Sequence, residues 1–330
     1  MLDEQKISNR MKLIVLIPAF NEEKTISQVI RNIPEHIDNI DEMKILVVND
    51  GSTDNTAKTA EEAGAFVVSH SRNRGLGIAF ATGIKESLKE GADIIVNIDA
   101  DGQFNPQDIP KLIEPILKDQ ADMVTASRFR NKDLTSGMSK LKKWGNKGFT
   151  GLINILTRKH FTDTQCGFRA YSREAALHLN LFGKFTYTQE VFLDLVNKGI
   201  RIKEVAVPVK YYKEREAKIS RSLISYFFRA ITIILRTFRD YKPLVFFGIS
   251  GLIVFGGGTI FVFYSFVYWL IIHRTTPIRM YLLVGIALLV FGFLLIILAL
   301  IADMLKRIRQ NQEEILYKLK KKEYEKKWRK

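Results

Sequence analysis

The sequence predicts an α/β domain with a mostly parallel sheet, followed by a hairpin of two membrane-spanning helices. Between residues 12 and 209, short apolar runs alternate with helical patterns, which is typical of a parallel sheet covered by helices. From residue 244 onward, two long stretches carry no charged residue, and each is long enough to cross a bilayer. The chain therefore combines a large α/β domain with a membrane anchor.

The strands and helices of the large domain follow from its apolar runs and the residues between them. Helix signals separate these runs: one helix begins at Thr53 or Asp54 and ends before Gly64, and the next one ends at Gly91. Five runs have the length and composition of strands buried on both faces, namely Leu13–Ile17, Ile45–Val48, Phe66–Val68, Asp93–Ile98 and Asp122–Ser127.

Composition excludes several classes of protein. The formal net charge of +15 predicts anionic partners, which include nucleic acid, a phospholipid surface and a phosphorylated substrate. The single cysteine, Cys166, excludes a disulfide within the chain and a cysteine-based zinc site, and it agrees with a reducing compartment. The five histidines are scattered, with no pair at metal-ligand spacing. The first twelve residues have no apolar core run and do not resemble a signal peptide.

Charged residues around the two apolar stretches predict their orientation. The stretches are Leu244–Ile272 and Tyr281–Ala302, and the short loop between them contains few bases. Positive residues mark the cytoplasmic side of membrane proteins, so both the large domain and the C-terminal tail are expected in the cytoplasm. The flanking bases are Arg221, Arg229, Arg236, Arg239 and Lys242 before the first stretch, and Lys306, Arg307 and Arg309 after the second.

The sequence divides into four segments. Residues 1–219 form the α/β domain, 220–243 an amphipathic interfacial helix, 244–302 the two spans and 303–330 a basic tail. Within the second segment, Ser222–Tyr241 is apolar with regularly spaced arginines, a pattern that favours a helix lying on the inner leaflet. An ordinary helix packed on the α/β domain is the alternative. The tail is expected to be a solvated helix or an oligomer contact.

Polar motifs follow three of the predicted strands. They are Pro18-Ala19-Phe20-Asn21-Glu22, the segment from Asn49 to Asp54, and Asp99-Ala100-Asp101-Gly102-Gln103. Each motif alone also fits a turn or a helix cap. Because ligands of open α/β sheets bind at the carboxyl ends of the strands, the three motifs together predict a binding site.

The third motif has the chemistry of a metal site. Asp99 and Asp101 alternate along an extended segment and Gln103 follows, so their oxygen atoms suit Mg²⁺ or Mn²⁺. Such ions keep waters and bind substrate phosphates, and a nucleotide diphosphate would complete the shell. No G-x-x-x-x-G-K-[ST] motif occurs in the chain, which excludes a P-loop NTPase.

The motifs PAFNEE, VVNDGSTD, RNRGLGIAFATG, IDADGQF and TASRF, in this order, resemble those of family 2 glycosyltransferases with the GT-A fold. Within this family, the chain is similar to the polyprenyl-phosphate sugar synthases, typified by dolichyl-phosphate mannose synthase, over about residues 13–222. The resemblance implies transfer of a hexose from a nucleotide-diphosphate sugar to polyprenyl phosphate. Single displacement would invert the anomeric carbon and give a β-linked product from an α-linked donor.

The resemblance also implies roles for individual residues. Pro18, Phe20, Glu22, Asp50 and Asp99 would contact the nucleotide, and Asp99, Asp101 and Gln103 would hold the metal. The acceptor phosphate would be bound by Arg128, Lys142 and Asn146.

Further residues are implied on the C-terminal side of the domain. Asp163 matches an active-site aspartate, catalytic together with Arg128, and Arg169 follows on the same segment. Arg215 and Lys218 lie where relatives carry R-x-x-G-x-S-K over the diphosphate, but here the segment is KEREAKIS, without the glycine and the serine. Glu190 could approach the sugar or begin a helix.

Other functions fit the sequence less well. A polymerising family 2 synthase usually carries Q-x-x-R-W and more spans, and a nucleic-acid-binding protein has no need of spans. A silent nucleotide-sugar-binding scaffold would not need Asp99, Asp101, Arg128 and Asp163 intact. The IDADGQF form of the third motif and the two-span layout favour UDP-glucose or UDP-N-acetylglucosamine as donor over GDP-mannose, by analogy alone. The lipid is dolichyl or undecaprenyl phosphate, and a homo-oligomer is conceivable.

Overall fold

A computed structural model describes residues 10–130, 140–180, 187–209, 239, 241–274 and 276–328. Within them, the chain forms two compact units. The first contains the described residues up to 209 together with those from 316 onward, and the second contains those from 239 to 315.

A seven-stranded sheet of order β3-β2-β1-β4-β6-β5-β7 forms the centre of the first unit. The pairs β1–β2, β1–β4, β2–β3 and β5–β7 are parallel, which confirms the predicted fold class. Only β6 runs antiparallel to its neighbours β4 and β5. The strands are β1 (Lys12–Ala19), β2 (Glu42–Asn49), β3 (Phe66–Ser69), β4 (Ile94–Asn97), β5 (Met123–Ser127), β6 (Arg169–Ser172) and β7 (Ile202–Ala206).

Helices connect these strands. A short 3₁₀ turn, Pro106–Asp108, precedes α4. The side chain of Asn105 caps the start of this turn. The helices of this unit are α1 (Ile26–Arg31), α2 (Thr56–Glu62), α3 (Leu76–Lys89), α4 (Ile109–Leu117), α5 (Lys140–Thr157), α6 (Arg173–His178) and α7 (Tyr187–Asn197).

The direction of β6 matters for the position of the candidate site. Asn97, at the end of β4, pairs with Arg169, at the start of β6. The segment that enters β6 therefore lies at the same edge of the sheet as the carboxyl ends of β4 and β5. An antiparallel strand thus brings residues 163–168 to the edge where parallel strands deliver their ligand-binding loops.

Two long helices form most of the second unit. They are α8 (Pro243–Ile272) and α9 (Arg279–Trp328), joined through a 3₁₀ turn, Thr276–Ile278. Both contain windows long and apolar enough to cross a membrane by length and composition, and only 11% and 17% of those windows is buried. His273 ends α8 in the left-handed region, with φ of +55°.

Glycines let these two helices approach each other closely. A Cβ atom at Gly258 would lie 2.7 Å from the backbone nitrogen of Leu289, and one at Gly292 would lie 2.5 Å from that of Phe255. Gly251 and Gly285 meet the facing helix at similar range, so each helix contributes two glycines seven residues apart. Small residues at helix contacts are a common basis for packing inside membranes.

The last turns of α9 belong to the first unit. The Tyr317 hydroxyl donates to Glu174 Oε1 at 2.7 Å, and its ring stacks on His178 with 4.1 Å between centroids. Lys320 Nζ donates to the backbone oxygen of Leu179 at 2.8 Å, and Tyr324 is only 4% exposed. The tail is thus helical, and one face of it packs on α6 within its own chain.

Candidate active site

The loops after β1 and β2 interlock at the carboxyl edge of the sheet. Asn21 Oδ1 accepts from the backbone N–H of Thr53 at 2.9 Å, and the N–H of Asn21 donates to Ser52 Oγ at 3.0 Å. Asn21 has a φ of +54°, a conformation that asparagine tolerates better than most residues. Two of the three polar motifs therefore form one continuous surface.

The residues predicted for the nucleotide pocket differ in accessibility. Pro18 is buried near the end of β1, whereas the side chain of Phe20 is 43% exposed. Glu22 accepts from Thr25 Oγ1 at 2.9 Å and lines, together with Asp101, an open cleft of about 570 Å³. Phe20 and Glu22 are thus within reach of a ligand at this edge.

Asp50 has a structural task that its motif did not predict. It is 3% exposed, and its carboxylate accepts from the backbone N–H groups of Arg74 at 3.0 Å and Gly75 at 2.8 Å. His70 Nδ1 lies 2.7 Å from Asp50 Oδ1, while His70 Nε2 lies 3.0 Å from Thr82 Oγ1. Asp50 therefore fastens the loop that begins α3, and its contact with a base or ribose stays a prediction.

Asp99 and Asp101 lie beyond the end of β4. Burial, followed by the negative charge of Asp101, raises the pKa of Asp99 to about 7, although the charges of Arg169 and Arg128 act to lower it. Asp101 Oδ1 accepts from the backbone N–H of Gln103 at 3.0 Å. Negative charge on Asp99 is therefore disfavoured both by its burial and by the neighbouring carboxylate.

Gly167 packs against this pair from the segment that enters β6. A Cβ atom at Gly167 would lie 2.7 Å from Asp99 Oδ2. The backbone oxygen of Gly167 accepts from Asn97 Nδ2 at 2.9 Å, which fixes the glycine at this distance. The absence of a side chain at residue 167 is thus what leaves room for the Asp99 carboxylate.

The two carboxylates do not form a complete metal site. Among the described residues, no group of three histidine, cysteine, aspartate or glutamate side chains converges in a way that could hold a metal ion. Asp99 and Asp101 nevertheless offer hard oxygen donors of like charge, and magnesium typically binds one or two carboxylates together with water and substrate phosphate. The donor set therefore fits a divalent cation that shares its shell with a substrate.

A second charged cluster lies after β5. Arg128 Nε donates to Asp163 Oδ2 at 2.6 Å, and Arg128 Nη2 donates to Asp163 Oδ1 at 3.0 Å. Asn146 Nδ2, from α5, donates to Asp163 Oδ1 at 2.9 Å. The structure thus brings together three residues that the sequence predicted separately, in a bidentate ion pair supported by an amide.

Asp163 is saturated by these contacts. It also accepts from the backbone N–H groups of Arg128 at 3.2 Å and Gln165 at 3.1 Å, and it is completely buried. Burial acts to raise the pKa of Asp163, but the hydrogen bonds and charge of Arg128, with the amide of Asn146, outweigh it, and the pKa is lowered. Asp163 is therefore an ionised carboxylate that holds Arg128 in place.

Several residues that the sequence did not single out support this cluster. Thr150 Oγ1 donates to Asn146 Oδ1 at 3.0 Å, which orients the amide. Glu204, on β7, accepts from the backbone N–H groups of Thr162 and Asp163, each at 2.8 Å. Glu204 is about forty residues from its partners and lies in no motif, so only the fold reveals its role.

Arg169 lies behind the site rather than on its surface. It is completely buried on β6, and its Nη2 donates to the backbone oxygen of Thr164 at 2.9 Å. Its guanidinium carbon lies 4.8 Å from the centre of the Phe192 ring. A direct contact of Arg169 with a diphosphate stays a prediction, and so do the roles of Lys142, Glu190, Arg215 and Lys218, whose side chains lie outside the described part of the chain.

Comparison with known proteins assigns the chain to a family. The profile of Glycosyl transferase family 2 matches residues 14–179, which contain both charged clusters. The chain belongs to this family.

Particular relatives match well beyond the catalytic motifs. A UDP-N-acetylglucosamine–dolichyl-phosphate N-acetylglucosaminyltransferase of Methanococcus voltae is 35% identical, and the match covers 67% of this chain and 96% of that protein. The glycosyltransferase AglJ of Haloferax volcanii is 30% identical, over 90% of this chain and 97% of its own. In structure, the chain is similar to the Mycobacterium tuberculosis glucosyl-3-phosphoglycerate synthase, with 25% identity, a TM-score of 0.50, and coverage of 70% of this chain and 80% of that one.

Proposed function

We propose that this family 2 glycosyltransferase moves a sugar from a nucleotide-diphosphate sugar to a polyprenyl phosphate. The observation that carries the proposal is the presence of two charged clusters at one sheet edge, one after β4 and the other after β5, with β6 between these strands. One cluster, Asp99 with Asp101, is anionic, and the other presents the Arg128 guanidinium, whose side chain is 16% exposed. A donor diphosphate with its counter-ion suits the first, and an acceptor phosphate suits the second.

The proposed donor is UDP-N-acetylglucosamine. Support comes from the Methanococcus voltae relative, whose name gives this donor and dolichyl phosphate as acceptor. UDP-glucose and GDP-mannose are the competing donors, and the test below includes both.

In the proposed step, the bond between the anomeric carbon and the donor diphosphate breaks while a bond to an oxygen of the acceptor phosphate forms. The nucleoside diphosphate leaves with the bonding electron pair, and a single displacement inverts the anomeric carbon. A phosphate monoester loses its second proton near pH 6, so the nucleophile is ionised at neutral pH and needs no general base. This agrees with Asp163, whose carboxylate is occupied by Arg128 and Asn146.

Arg128 would then bind and orient the acceptor phosphate. Its two N–H groups that pair with Asp163 fix the plane of the guanidinium, so its positive charge is held in one orientation. Asn146 fixes Asp163 in turn, and so acts on the phosphate through Arg128. Orientation of the nucleophile is a major source of rate enhancement in such a displacement.

Asp99, Asp101 and Gln103 would hold Mg²⁺ or Mn²⁺ in this proposal. The fit rests on two like-charged carboxylates in a site where burial already raises the pKa of Asp99 to about 7. When bound, the cation supplies positive charge to the departing diphosphate. The residues of the chain would keep the diphosphate at the end of β4.

The proposed location is a membrane, with the catalytic domain (1–219) and the tail (303–330) in the cytoplasm. Support comes from the two helices that are long and apolar enough to span. The excess of basic residues before the first and after the second supports the orientation. The interfacial helix 220–243 lies mostly outside the described residues, and it stays part of the proposal, as does a homo-oligomer.

A donor screen tests the proposal. Purified protein in detergent would receive polyprenyl phosphate, Mg²⁺ or Mn²⁺, and one labelled donor at a time: UDP-N-acetylglucosamine, UDP-glucose or GDP-mannose. We expect label in the organic phase from UDP-N-acetylglucosamine, and a β-linked product by NMR. Transfer only from GDP-mannose would replace the donor, and a retained anomeric configuration would overturn the single displacement. No transfer to any polyprenyl phosphate, with the nucleotide still bound, would overturn the acceptor class.

A further inference from the structure

The outer face of α5 has a pattern that the active site does not use. The inner face of this helix is buried through Phe149, Ile153 and Leu156, which are at most 8% exposed. On the opposite face, Trp144 and Ile155 are each 70% exposed. Large apolar side chains at such exposure are unusual on a surface and point to a binding face.

Helical geometry joins these exposed residues into one stripe. Trp144, Gly148, Gly151 and Ile155 follow one another at spacings of four, three and four residues, which places them along one line of an α-helix. No described residue comes within 4 Å of where a Cβ atom would lie at Gly148 or Gly151. The stripe is therefore open over its whole length.

The charged residues of α5 and of the segment that follows it are all basic. Lys147 and Arg158 are exposed and lie beside it, and Lys159 follows. Between Asp133 and Asp163 the sequence contains six lysines and arginines and no acidic residue. Apolar side chains flanked by bases, with tryptophan at the boundary, are typical of helices that lie on an anionic bilayer surface.

We propose that this outer face of α5, the α5 stripe with Lys147 and Arg158, docks on the anionic surface of a lipid bilayer. A second copy of the chain is a poorer occupant, because two such basic faces would repel each other. The two candidate spans on the same chain also keep lipid at high local concentration.

The inner face of α5 gives this docking a consequence for the reaction. Asn146, on that face, donates to Asp163, which holds Arg128. One helix thus contacts the lipid surface on one side and supports the proposed phosphate-binding arginine on the other. The purpose of the docking rests on the proposed function, since it would bring the acceptor headgroup to Arg128, but the docking itself is measurable without turnover.

Fluorescence of Trp144 tests the docking directly. The full chain with Trp269→Phe and Trp328→Phe retains Trp144 as its single tryptophan, and it would be reconstituted in vesicles of phosphatidylglycerol and phosphatidylcholine with brominated chains. We expect bromine close to the headgroups to quench Trp144, and the quenching to weaken in pure phosphatidylcholine or at high salt. Equal intensity in brominated and unbrominated vesicles would overturn the proposal. The proposal would also be overturned if the emission of Trp144 shifted in detergent without vesicles and the shift grew with protein concentration, because such a shift indicates self-association.

A matched control uses an exposed aromatic position elsewhere on the same unit. Phe66 is 58% exposed on β3, the edge strand at the opposite end of the sheet order from β5 and β7. In the same background with Trp144→Phe, the substitution Phe66→Trp would move the probe to that edge. We expect no quenching there. Quenching equal to that of Trp144 would overturn the proposal, because the whole unit would then adsorb without a preferred face.

Charge reversal links the docking to the reaction. With Lys147→Glu and Arg158→Glu together, we expect the quenching to be lost and the apparent KM for a vesicle-borne long-chain acceptor to rise about tenfold, while the KM for a short water-soluble acceptor stays unchanged. Lys58→Glu with Lys118→Glu removes the same charge from exposed positions on α2 and after α4, and should change neither quantity.

Quenching that survives the reversal at Lys147 and Arg158 would overturn the electrostatic part of the proposal. Lack of transfer by the protein with unaltered Lys147 and Arg158, with quenching of its Trp144 intact, would instead count against the proposed function and leave the docking standing.

Discussion

Two aspartates at one edge of the sheet differ in the sign of their pKa shift. Asp99 follows β4, and burial together with Asp101 raises its pKa to about 7. Asp163 precedes the neighbouring strand β6, and the hydrogen bonds and charge of Arg128 outweigh burial and lower its pKa. The surroundings disfavour negative charge at the first position and favour it at the second. Under the proposed function, the protein alone would assemble the acceptor half of the site, around Asp163, whereas the donor half, around Asp99, would need a cation that arrives with the substrate.

Removal of the Asp101 carboxylate, in the proposed donor half, is expected to have the largest effect on the rate of sugar transfer. We expect Asp101→Asn to lower sugar transfer about 10³-fold at saturating metal and donor, because charge on the departing diphosphate loses its counter-ion. Chelation of divalent ions should have the same effect on the unaltered protein. Rates of labelled-sugar transfer measure both. Asp119→Asn, at a side chain that is 88% exposed and lies in none of the motifs, serves as the control. Transfer within about threefold of the unaltered rate in Asp101→Asn would contradict a metal at this pair.

The acceptor half should respond in a different kinetic parameter. Asp163→Asn leaves Arg128 without its charged partner, and we expect kcat/KM for the polyprenyl phosphate to fall about 10²-fold, while the KM for the donor stays unchanged. Arg128→Lys should resemble it, since lysine cannot form the bidentate pair.

The double variant separates positioning from base catalysis. If Asp163 acts only through Arg128, Arg128→Lys with Asp163→Asn should be little worse than either single change. Initial rates at varied acceptor concentration and pH measure this. A loss confined to kcat in Asp163→Asn, with an altered acidic limb of the pH profile, would instead identify Asp163 as a general base.

A smaller effect is expected from a substitution at Gly167, the residue that packs against Asp99. Gly167→Ala places a methyl group 2.7 Å from Asp99 Oδ2, so the carboxylate has to move. We expect the Mn²⁺ concentration at half-maximal activity to rise about tenfold, an effect typical of residues that orient metal ligands. Gly256→Ala, where a Cβ atom meets nothing within 4 Å among the described residues, is the matched control. An unchanged metal requirement would show that Asp99 is not a ligand.

The dependence of stability on pH is the smallest expected difference. The folded pKa of Asp163 lies below its unfolded value of about 4, so its ion pair stabilises the fold fully above that pH and less as pH falls through the folded pKa. Asp163→Asn should therefore be less stable by about 3 kcal/mol at pH 7, and the gap to the unaltered protein should narrow below about pH 4. Thermal unfolding in detergent, followed over pH, measures the gap. A constant gap over this range would show that Asp163 is not ionised in the fold.

The sequence predicted the sheet where hydrophobicity alone determines it. The first five strands each contain a short apolar run, and each is observed within a few residues of its predicted bounds. Strand β6 begins with Arg169, a charged residue that is stable there because it pairs with a backbone oxygen and packs on Phe192. Strand β7, Ile202–Ala206, has two adjacent charged residues, Lys203 and Glu204, and none of its residues is fully buried. Neither pattern identifies a strand without knowledge of its neighbours.

The candidate site was predictable to a similar extent. Motifs located Asp99, Asp101, Arg128 and Asp163, but they did not reveal that Asp163 is occupied by Arg128, 35 residues away. His70 beside Asp50, and Glu204 beside Asp163, lie outside every motif. Their partners are chosen by strand order, which a linear pattern does not contain.

The last turns of α9 affect the order in which the protein is completed during synthesis. Tyr317, Lys320 and Tyr324 pack on the unit whose sheet begins at residue 12. About a hundred residues, which include both apolar stretches, separate them in sequence from the rest of that unit. The ribosome makes these side chains after both apolar stretches, and until then the surface of α6 around Glu174 and His178 has no cover from them. The first unit thus reaches its final surface only after both apolar stretches have been made, and a truncation before Tyr317 would act on a domain that lies far earlier in the chain.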